Sequence, residues 1–263
     1  MSNKSLVSVV SPTYNCGNFI PETIESVLAQ SYTNWEMIIV DDCSTDDTKK
    51  IVEEYCRKDK RIKYHCLEKN TGAAEARNTA LRLASGKWIA FLDSDDLWKP
   101  EKLERQVRFM EENGLAFSYH RYSEISEEGE DLGVEVSGLR KVNRFQMYSC
   151  CWPGCLSVMY DRDKVGLVQI KNVKKNNDTA LWLEVVKHSP CYLLDENLAK
   201  YRRRRGSITP PGIWKRIWAH YPLFRYAEEM PPLAAAFWTL MNVFGNAYKK
   251  AFYIKRTSHI KGN

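Results

Sequence analysis

Strand-like and helix-like segments alternate along the first 120 residues of this chain, with short polar connections between them. The predicted strands are apolar runs rich in β-branched and aromatic residues, at positions 6–10, 35–40, 61–65, 88–92 and 115–119. Apolar residues at helical spacing lie between these runs, at positions 19–30, 51–55, 73–84 and 100–112. This alternation predicts an α/β domain with helices on both faces of a mainly parallel sheet.

Polar side chains follow three of the predicted strands at the point where each strand ends. They occupy positions 12–15, 41–42 and 93–96. Open α/β sheets bind their ligands at the carboxyl ends of the strands. The sequence therefore predicts one functional site, built at this edge of the sheet.

The most acidic of these clusters is Asp93-Ser94-Asp95-Asp96. Its carboxylates repel one another unless positive charge lies among them. A divalent cation held by one or two carboxylates and by substrate phosphates meets that need, and Mg²⁺ and Mn²⁺ both suit oxygen ligands. The alternative is a cluster favoured by a helix dipole, because Pro100 begins a predicted helix soon afterwards. No GxGxxG or GxxxxGK loop is present, which argues against a dehydrogenase or a P-loop enzyme.

Four segments carry a family resemblance: VSVVSPTYN, IIVDDCSTDDT, KNTGAAEARN and GKWIAFLDSDD. In this order and spacing, over about residues 5–120, they resemble glycosyltransferase family 2. That family contains inverting nucleotide-sugar transferases with the GT-A fold, which is Rossmann-like. Many bacterial members extend lipid-diphosphate-linked acceptors for surface polysaccharide. The resemblance implies a UDP-sugar donor, a glycan or lipid-linked glycan acceptor and a divalent metal, Mn²⁺ or Mg²⁺.

The family pattern also implies roles for individual residues. Tyr14 would stack on uracil, and Asp42, with Asp41 beside it, would accept a hydrogen bond from the base. Asp93 would meet the ribose, and Asp95 would bind the metal that bridges the two phosphates, with the adjacent Asp96 as the alternative direct ligand. The whole implied nucleotide-sugar site is Pro12, Tyr14, Asn15, Asp41, Asp42, Lys69, Asn70, Arg77, Asp93, Ser94 and Arg204. For Arg77 the alternative is an ordinary arginine on a helix surface.

Asp178 matches the catalytic base of the family. The family usually has an acidic dipeptide before a Trp-containing helix, and here Asn177-Asp178 precedes Trp182. Asn177 departs from the acidic pattern. The alternative for Asp178 is a helix cap, and Asp161 and Asp163 are competitors for the role of base.

Residues 201–209, YRRRRGSIT, resemble a segment found late in many family members, with Arg204 where a histidine is common. Consecutive arginines suit a donor or acceptor diphosphate, because guanidinium groups form charge-assisted bonds to phosphate. A solvated basic loop is the alternative.

Charge divides the chain into two parts. Residues 199–263 hold 13 Lys and Arg against 2 Asp and Glu, whereas residues 1–198 carry a net charge of −5. We therefore predict a catalytic domain at 1–198, with a nucleotide-sugar half at about 1–120 and an acceptor half at 121–198. Residues 199–263 form the C-terminal helical appendage. Its second predicted helix has one apolar stripe: Phe237, Leu240, Met241, Phe244, Tyr248 and Phe252.

The basic, aromatic-rich appendage is predicted to lie on a membrane surface, with aromatics at the headgroups and cations facing anionic lipid. Packing on the body or on another subunit is the alternative, and no nucleic-acid-binding motif is present. No signal peptide or membrane span is recognised, which predicts a cytoplasmic enzyme at the inner face of the membrane with reduced cysteines. The rival functions are a nucleotidyltransferase and a non-catalytic subunit that binds nucleotide and membrane.

Overall fold

A computed structural model describes residues 4–171, 173, 176–204 and 220–257. The described residues form one mixed sheet of eleven strands with helices around it. The strands are β1 (Val7–Thr13), β2 (Trp35–Asp41), β3 (Ile62–Cys66), β4 (Trp88–Phe91), β5 (Leu97–Trp98), β6 (Phe117–Ile125), β7 (Asp131–Val136), β8 (Lys141–Val142), β9 (Met159–Asp161), β10 (Cys191–Arg202) and β11 (Ile254–Arg256). The α-helices are α1 (Ile20–Leu28), α2 (Thr48–Lys58), α3 (Ala73–Leu83), α4 (Lys102–Glu112), α5 (Arg144–Ser149), α6 (Arg162–Val165), α7 (Asn177–Val185) and α8 (Pro232–Phe252).

The first four long strands form the predicted parallel sheet, in the order β3-β2-β1-β4. Their side chains alternate between two apolar cores, as expected for strands buried on both faces. Val10 and Ile38 belong to the core that contains α3 and α7, and Val9 and Ile39 belong to the core that contains α1 and α4. The α/β alternation of the sequence is thus confirmed in this half.

Beyond β4 the sheet is mostly antiparallel. β9 lies between β4 and β6 and runs antiparallel to both. β10 pairs in parallel with β6 and antiparallel with β5 and β8. The sequence did not predict this insertion, because β9 is only three residues long and comes from a distant part of the chain.

The segment SEISEEGEDLG at 123–133 is acidic and broken by glycine, which predicts a loop or a lid within residues 123–149, and this prediction is wrong. β6 and β7 form an antiparallel hairpin there, with Tyr122 opposite Val136, and β8 and α5 follow. The turn is closed by the Ser126 N–H, which donates to the Glu130 carbonyl at 2.8 Å. Acidic residues and Gly129 belong to this turn and to the half-exposed strand β7, and the composition alone suggested a loop.

The C-terminal residues join the catalytic body at several places. β10 runs through the predicted boundary at residue 198, α8 packs on α5, and β11 pairs with β7. The first helix predicted in this part, at residues 213–229, begins outside the described residues, which resume at 220 and include a π-helical turn at Leu223–Ala227. The second predicted helix is confirmed as α8. Among the described residues no helix has the length and hydropathy needed to span a bilayer.

Candidate active site

The predicted site residues of β1, β2 and β4 meet at the carboxyl edge of the parallel strands. Pro12 lies buried in β1, and Tyr14, just past the strand, has 49% of its surface exposed. Asn15 adopts a left-handed backbone conformation, and its Oδ1 accepts a 2.8 Å hydrogen bond from the Thr45 N–H. An exposed ring on a backbone fixed in this way is available for stacking.

The two carboxylates at the end of β2 organise the loops around them. Asp41 accepts hydrogen bonds from the Ser44 N–H at 2.8 Å and from the Tyr64 hydroxyl at 2.7 Å. Asp42 accepts from the N–H groups of Thr71 and Gly72, each at 2.7 Å. Both carboxylates are therefore buried and partnered, and any bond to a base uses a remaining lone pair.

The segment before α3 borders this pocket. Asn70 donates from its side chain to the Asp42 carbonyl at 2.9 Å, and both Asn70 and Lys69 are exposed. Gly72 precedes the helix with φ +94°, a conformation that favours glycine. The turn thus points the exposed Lys69 and Asn70 out next to Asp42.

The acidic cluster after β4 combines the buried Asp96 with the half-buried Asp93 and Asp95. Burial and the charge of Asp93 raise the pKa of Asp95, although Arg204 acts in the opposite direction through a 3.0 Å bond to Asp95 Oδ2. Burial and the charges of Asp95 and Asp93 raise the pKa of Asp96 well above its ordinary value. Ser94, which lies between Asp93 and Asp95 in the chain, is buried. A cation bound here would relieve repulsion that the protein itself offsets only in part.

Arg202, which the sequence analysis did not single out, forms hydrogen bonds to two residues of the acidic cluster. Its Nε donates to the Asp95 carbonyl at 2.9 Å, and its N–H donates to Asp96 Oδ1 at 2.9 Å. Its Nη2 donates to Glu22 of α1 at 2.7 Å. In a run of four arginines only strand alternation in β10 distinguishes this buried residue from the exposed neighbour Arg203, and the length of β10 was not predicted.

Arg77 joins the acidic cluster to the predicted catalytic base. It lies on α3 with only 4% of its surface exposed. Its Nη2 donates to Asp93 Oδ1 at 2.8 Å, and its Nη1 donates to Asn177 Oδ1 at 2.6 Å. Burial lowers the pKa of Arg77, but Cys155, Asp93 and Asp178 outweigh it and raise the pKa. The alternative of a surface arginine is wrong.

Asp178 lies in the first turn of α7, next to the residue that Arg77 holds. The helix begins at Asn177, so Asp178 is not its N-cap, although Asp178 Oδ1 accepts from the Thr179 N–H at 2.7 Å. Its surroundings include the thiols of Cys151 and Cys155. Cys155 Sγ lies 3.8 Å from Asp93 Oδ1, so this thiol stands between donor and base residues.

The competing carboxylates lie elsewhere. Asp161 is opposite Trp88, at the amino end of β4, whereas Asp93 follows the carboxyl end of that strand. Asp161 accepts a hydrogen bond from the Asp163 N–H at the start of α6. The fold thus separates this pair from the acidic cluster and from Asp178.

Comparison with known proteins identifies the family. The profile of glycosyl transferase family 2 matches residues 8–156. The chain is 41% identical to the putative teichuronic acid biosynthesis glycosyltransferase TuaG of Bacillus subtilis (strain 168), over 94% of this chain and 98% of TuaG. The chain belongs to glycosyltransferase family 2. This glycosyltransferase is also 37% identical to UDP-Glc:alpha-D-GlcNAc-diphosphoundecaprenol beta-1,3-glucosyltransferase WfgD of Escherichia coli, over 95% of this chain and 97% of WfgD.

Solved glycosyltransferases share the fold of this family 2 member. S. aureus TarS 1-349 in complex with UDP-GlcNAc has a TM-score of 0.71 at 21% identity, covering 94% of this chain and 73% of that one. The mannosyltransferase PcManGT from Pyrobaculum calidifontis, in complex with GDP-Man and Mn²⁺, has a TM-score of 0.66 at 19% identity, covering 95% and 74%. The predicted GT-A fold of this glycosyltransferase is therefore confirmed.

Proposed function

We propose that this glycosyltransferase moves a sugar from a UDP-sugar to a lipid-diphosphate-linked glycan, with inversion at the anomeric carbon. The names of its full-length relatives support the reaction class and the type of acceptor. The observation that carries the proposal is the bridge made by Arg77, because it joins Asp93 of the donor cluster to the helix of Asp178.

The nucleotide would bind along the carboxyl edge of β1, β2 and β4. The exposed ring of Tyr14 is available to stack on the base, and Asp42 lies beside Asn70 where a base N–H needs an acceptor. Asp93 is positioned for the ribose, and Pro12, Asn15, Asp41, Lys69 and Ser94 complete the pocket. Arg204, which bonds to Asp95 in the structure, would form charge-assisted hydrogen bonds to the donor diphosphate instead.

A divalent metal fits the acidic cluster. Asp96 Oδ2 is buried without a hydrogen-bond partner, and Asp95 is destabilised as an anion. Among the described residues no three His, Cys, Asp or Glu side chains form a ready set of ligands. Mg²⁺ and Mn²⁺ bound to diphosphate need only one or two protein carboxylates. Asp95 would hold the ion, which would neutralise charge on the departing diphosphate.

Asp178 would act as the general base. Its carboxylate takes the proton from an acceptor hydroxyl while that oxygen attacks the anomeric carbon. The bond to UDP breaks on the opposite face, so an α-linked donor gives a β-linkage. A single displacement requires no enzyme nucleophile, and burial raises the pKa of the Cys155 and Cys151 thiols, which keeps both protonated.

The proposed acceptor places the reaction at the inner face of the cell membrane. We propose that residues 1–198 form the catalytic domain, with the donor half at about 1–120 and the acceptor half at 121–198. Within residues 199–263, Arg202 and Arg204 reach back to the acidic cluster, and the helical part would serve as the peripheral membrane contact. Support comes from the basic charge of that segment and from α8, which packs against α5 in the acceptor half.

The test is release of nucleoside diphosphate from a panel of nucleotide sugars, with and without Mn²⁺ and a lipid-diphosphate glycan acceptor. We expect metal-dependent UDP release from one donor, abolished by Asp95→Ala. Calorimetric titration with UDP runs on the same samples. Binding of UDP without turnover of any donor, in the presence of acceptor, would contradict the proposed enzyme and favour a non-catalytic subunit.

A further inference from the structure

Helix α8 buries polar side chains and exposes large apolar ones, the reverse of an ordinary surface helix. Its polar residues Thr239 and Asn242 face the protein and are 6% and 2% exposed. Its large apolar residues face outward and are each between 47% and 87% exposed: Leu233, Phe237, Leu240, Phe244, Tyr248 and Phe252. These six residues, spaced three or four apart or multiples of that, form one continuous stripe. We call it the outer face of α8.

The inner side of α8 is fixed to the catalytic body by polar bonds. Asn242 donates to the Tyr148 carbonyl at 3.2 Å, and Lys249 Nζ donates to the carbonyls of Cys151 and Trp152 at 2.9 and 2.7 Å. A side chain on Gly245 would overlap the Ser149 carbonyl oxygen. Because these contacts define one orientation, the exposure of the outer face is not a consequence of a loosely attached helix.

The apolar surface continues onto the neighbouring helix. Phe145 of α5 is 68% exposed, and its ring stacks on Trp238 with centroids 6.2 Å apart and planes inclined by 29°. Contiguous exposed apolar surface of this kind marks an interaction site rather than ordinary scattered exposure.

The charged residues of α8 and β11 are all positive. From residue 232 to 257 the chain contains no Asp or Glu, and Lys250, Lys255 and Arg256 are exposed. An apolar face with flanking cations complements an anionic bilayer surface, because the side chains enter the acyl boundary and the cations meet phosphate groups. A second copy of the same surface would bring like charges together.

We propose that the outer face of α8, together with Phe145, docks in the headgroup region of an anionic phospholipid bilayer. The helix, about 30 Å long, lies along the surface. This inference deepens the proposed function by naming the docking surface, and it rests on that function only for the identity of the acceptor.

Docking also orients the active site. The loop that Lys249 holds continues from Cys151, beside Asp178, to Cys155, beside Asp93. The helix of the base, α7, packs on α5, which also packs on α8, so α5 connects the base to the docked helix. A diphosphate anchored in the bilayer therefore approaches from the side of Asp178, whereas the nucleotide pocket of Tyr14 and Asp42 lies across the acidic cluster.

The test is partition of the full chain onto vesicles. We expect binding to vesicles of phosphatidylglycerol and phosphatidylcholine, weakened by salt, and little binding to phosphatidylcholine alone. The triple variant Phe237→Ser, Leu240→Ser, Phe244→Ser should bind at least tenfold more weakly. Leu83→Ser with Leu167→Ser is the matched control, because these leucines are 47% and 48% exposed on other elements, and it should bind like the parent.

A measurement on the parent avoids any folding defect of the triple variant. Brominated lipid should quench the fluorescence of Trp238, judged by the difference between the parent and Trp238→Phe. Absence of both vesicle binding and quenching would overturn the proposal. So would sedimentation velocity showing a parent dimer that the triple variant converts to monomer without any vesicle binding.

The experiments distinguish a failure of the proposed function from a failure of the proposed docking surface. UDP binding and donor hydrolysis are measured on the triple variant in solution, where docking plays no part. Vesicle binding by a parent that turns over no donor would leave the docking surface standing and remove the proposed enzyme. Full transfer to a lipid-linked acceptor by a triple variant that no longer binds vesicles would overturn the orienting role.

Discussion

At the scale of single residues, two buried arginines hold the groups of the candidate site together. Arg77 and Arg202 donate almost wholly to protein groups, Arg77 to side chains on either side of the cleft and Arg202 to the backbone and carboxylate of the acidic cluster. Both fix the relative positions of groups that react, which is a large part of catalysis.

Asp178→Asn tests the base directly. The amide keeps the shape of the side chain but cannot take a proton, so kcat should fall by about 10²–10⁴-fold. Affinity for UDP should change less than about threefold, because the nucleotide pocket lies across the acidic cluster. Steady-state transfer and calorimetry measure the two quantities. A loss confined to UDP affinity would contradict the assignment.

Arg77→Gln tests the bridge. Removing the guanidinium leaves Asp93 and Asn177 without their shared donor, and kcat should fall by about 10²-fold. Arg82→Gln is the matched control, since Arg82 lies on the same helix but pairs with Glu75 at an exposed position, and its kcat should match the parent. If Arg77→Gln weakens UDP binding while kcat is unchanged, Arg77 contacts the nucleotide instead.

Sequence reasoning reached the acidic site residues and their partners Arg77 and Arg204, but not Arg202 or Cys155. Asp42 and Asp93 stand out because they directly follow apolar strands, whereas Asp178 was found only because it matches the catalytic base of the family. Arg202 and Cys155 contact the site only through the tertiary fold, more than sixty residues away from their partners. No local pattern carries that information.

At the scale of elements, the parallel strands were predictable and the inserted antiparallel strands were not. β1, β2 and β4 are apolar runs in a regular alternation of strands and helices, the pattern that predicts a parallel sheet. β7 is mostly exposed or half-buried and lacks the apolar pattern of a buried strand. The apolar run at 155–160 does indicate a strand at β9, but a strand of three residues does not reveal that it lies between β4 and β6. The apolar stripe on α8 was predicted from the helical spacing of its residues, but that spacing does not reveal whether the stripe faces the protein or the solvent.

Gly245→Ala tests the contact of α8 with α5. Alanine favours helix by about 1 kcal/mol in isolation, but here its methyl group would overlap the Ser149 carbonyl. The free energy of unfolding should therefore fall, by about 1–3 kcal/mol. Ala247→Ser, at an exposed position of the same helix, should change it by less than about 0.5 kcal/mol. Urea denaturation compares the three proteins, and stabilisation by Gly245→Ala would contradict the close contact.

At the scale of the whole molecule, a stabilising carboxylate and the candidate active site lie at opposite edges of the sheet. Glu36 is buried near the amino ends of the strands and accepts bonds from Ser8 at 2.6 Å, Ser85 and Lys63. Burial raises the pKa of Glu36, but the bonds from Lys63, Ser8 and Ser85 outweigh it and lower the pKa to about 2.

This carboxylate should make the fold sensitive to acid. The pKa of Glu36 is lower in the folded chain than in the unfolded chain, so the ionised carboxylate stabilises the fold at pH values above the ordinary carboxyl range. This contribution is lost as the pH falls towards 2. Glu36→Gln should lower the free energy of unfolding near pH 7 by about 2–3 kcal/mol and flatten its fall in acid. Glu53→Gln removes an exposed pair and should leave the profile unchanged. Identical acid profiles for parent and Glu36→Gln would contradict this role.

The insertion of β9 between β4 and β6 has a consequence during synthesis. The ribosome completes the parallel half of the sheet at Phe91, but the strand that covers the open edge of β4 begins only at Met159. Until then the nascent chain carries an apolar strand with unpaired backbone groups, a template for pairing with other chains. Stalled or truncated products that end between these two residues are therefore the species of this protein most prone to aggregate.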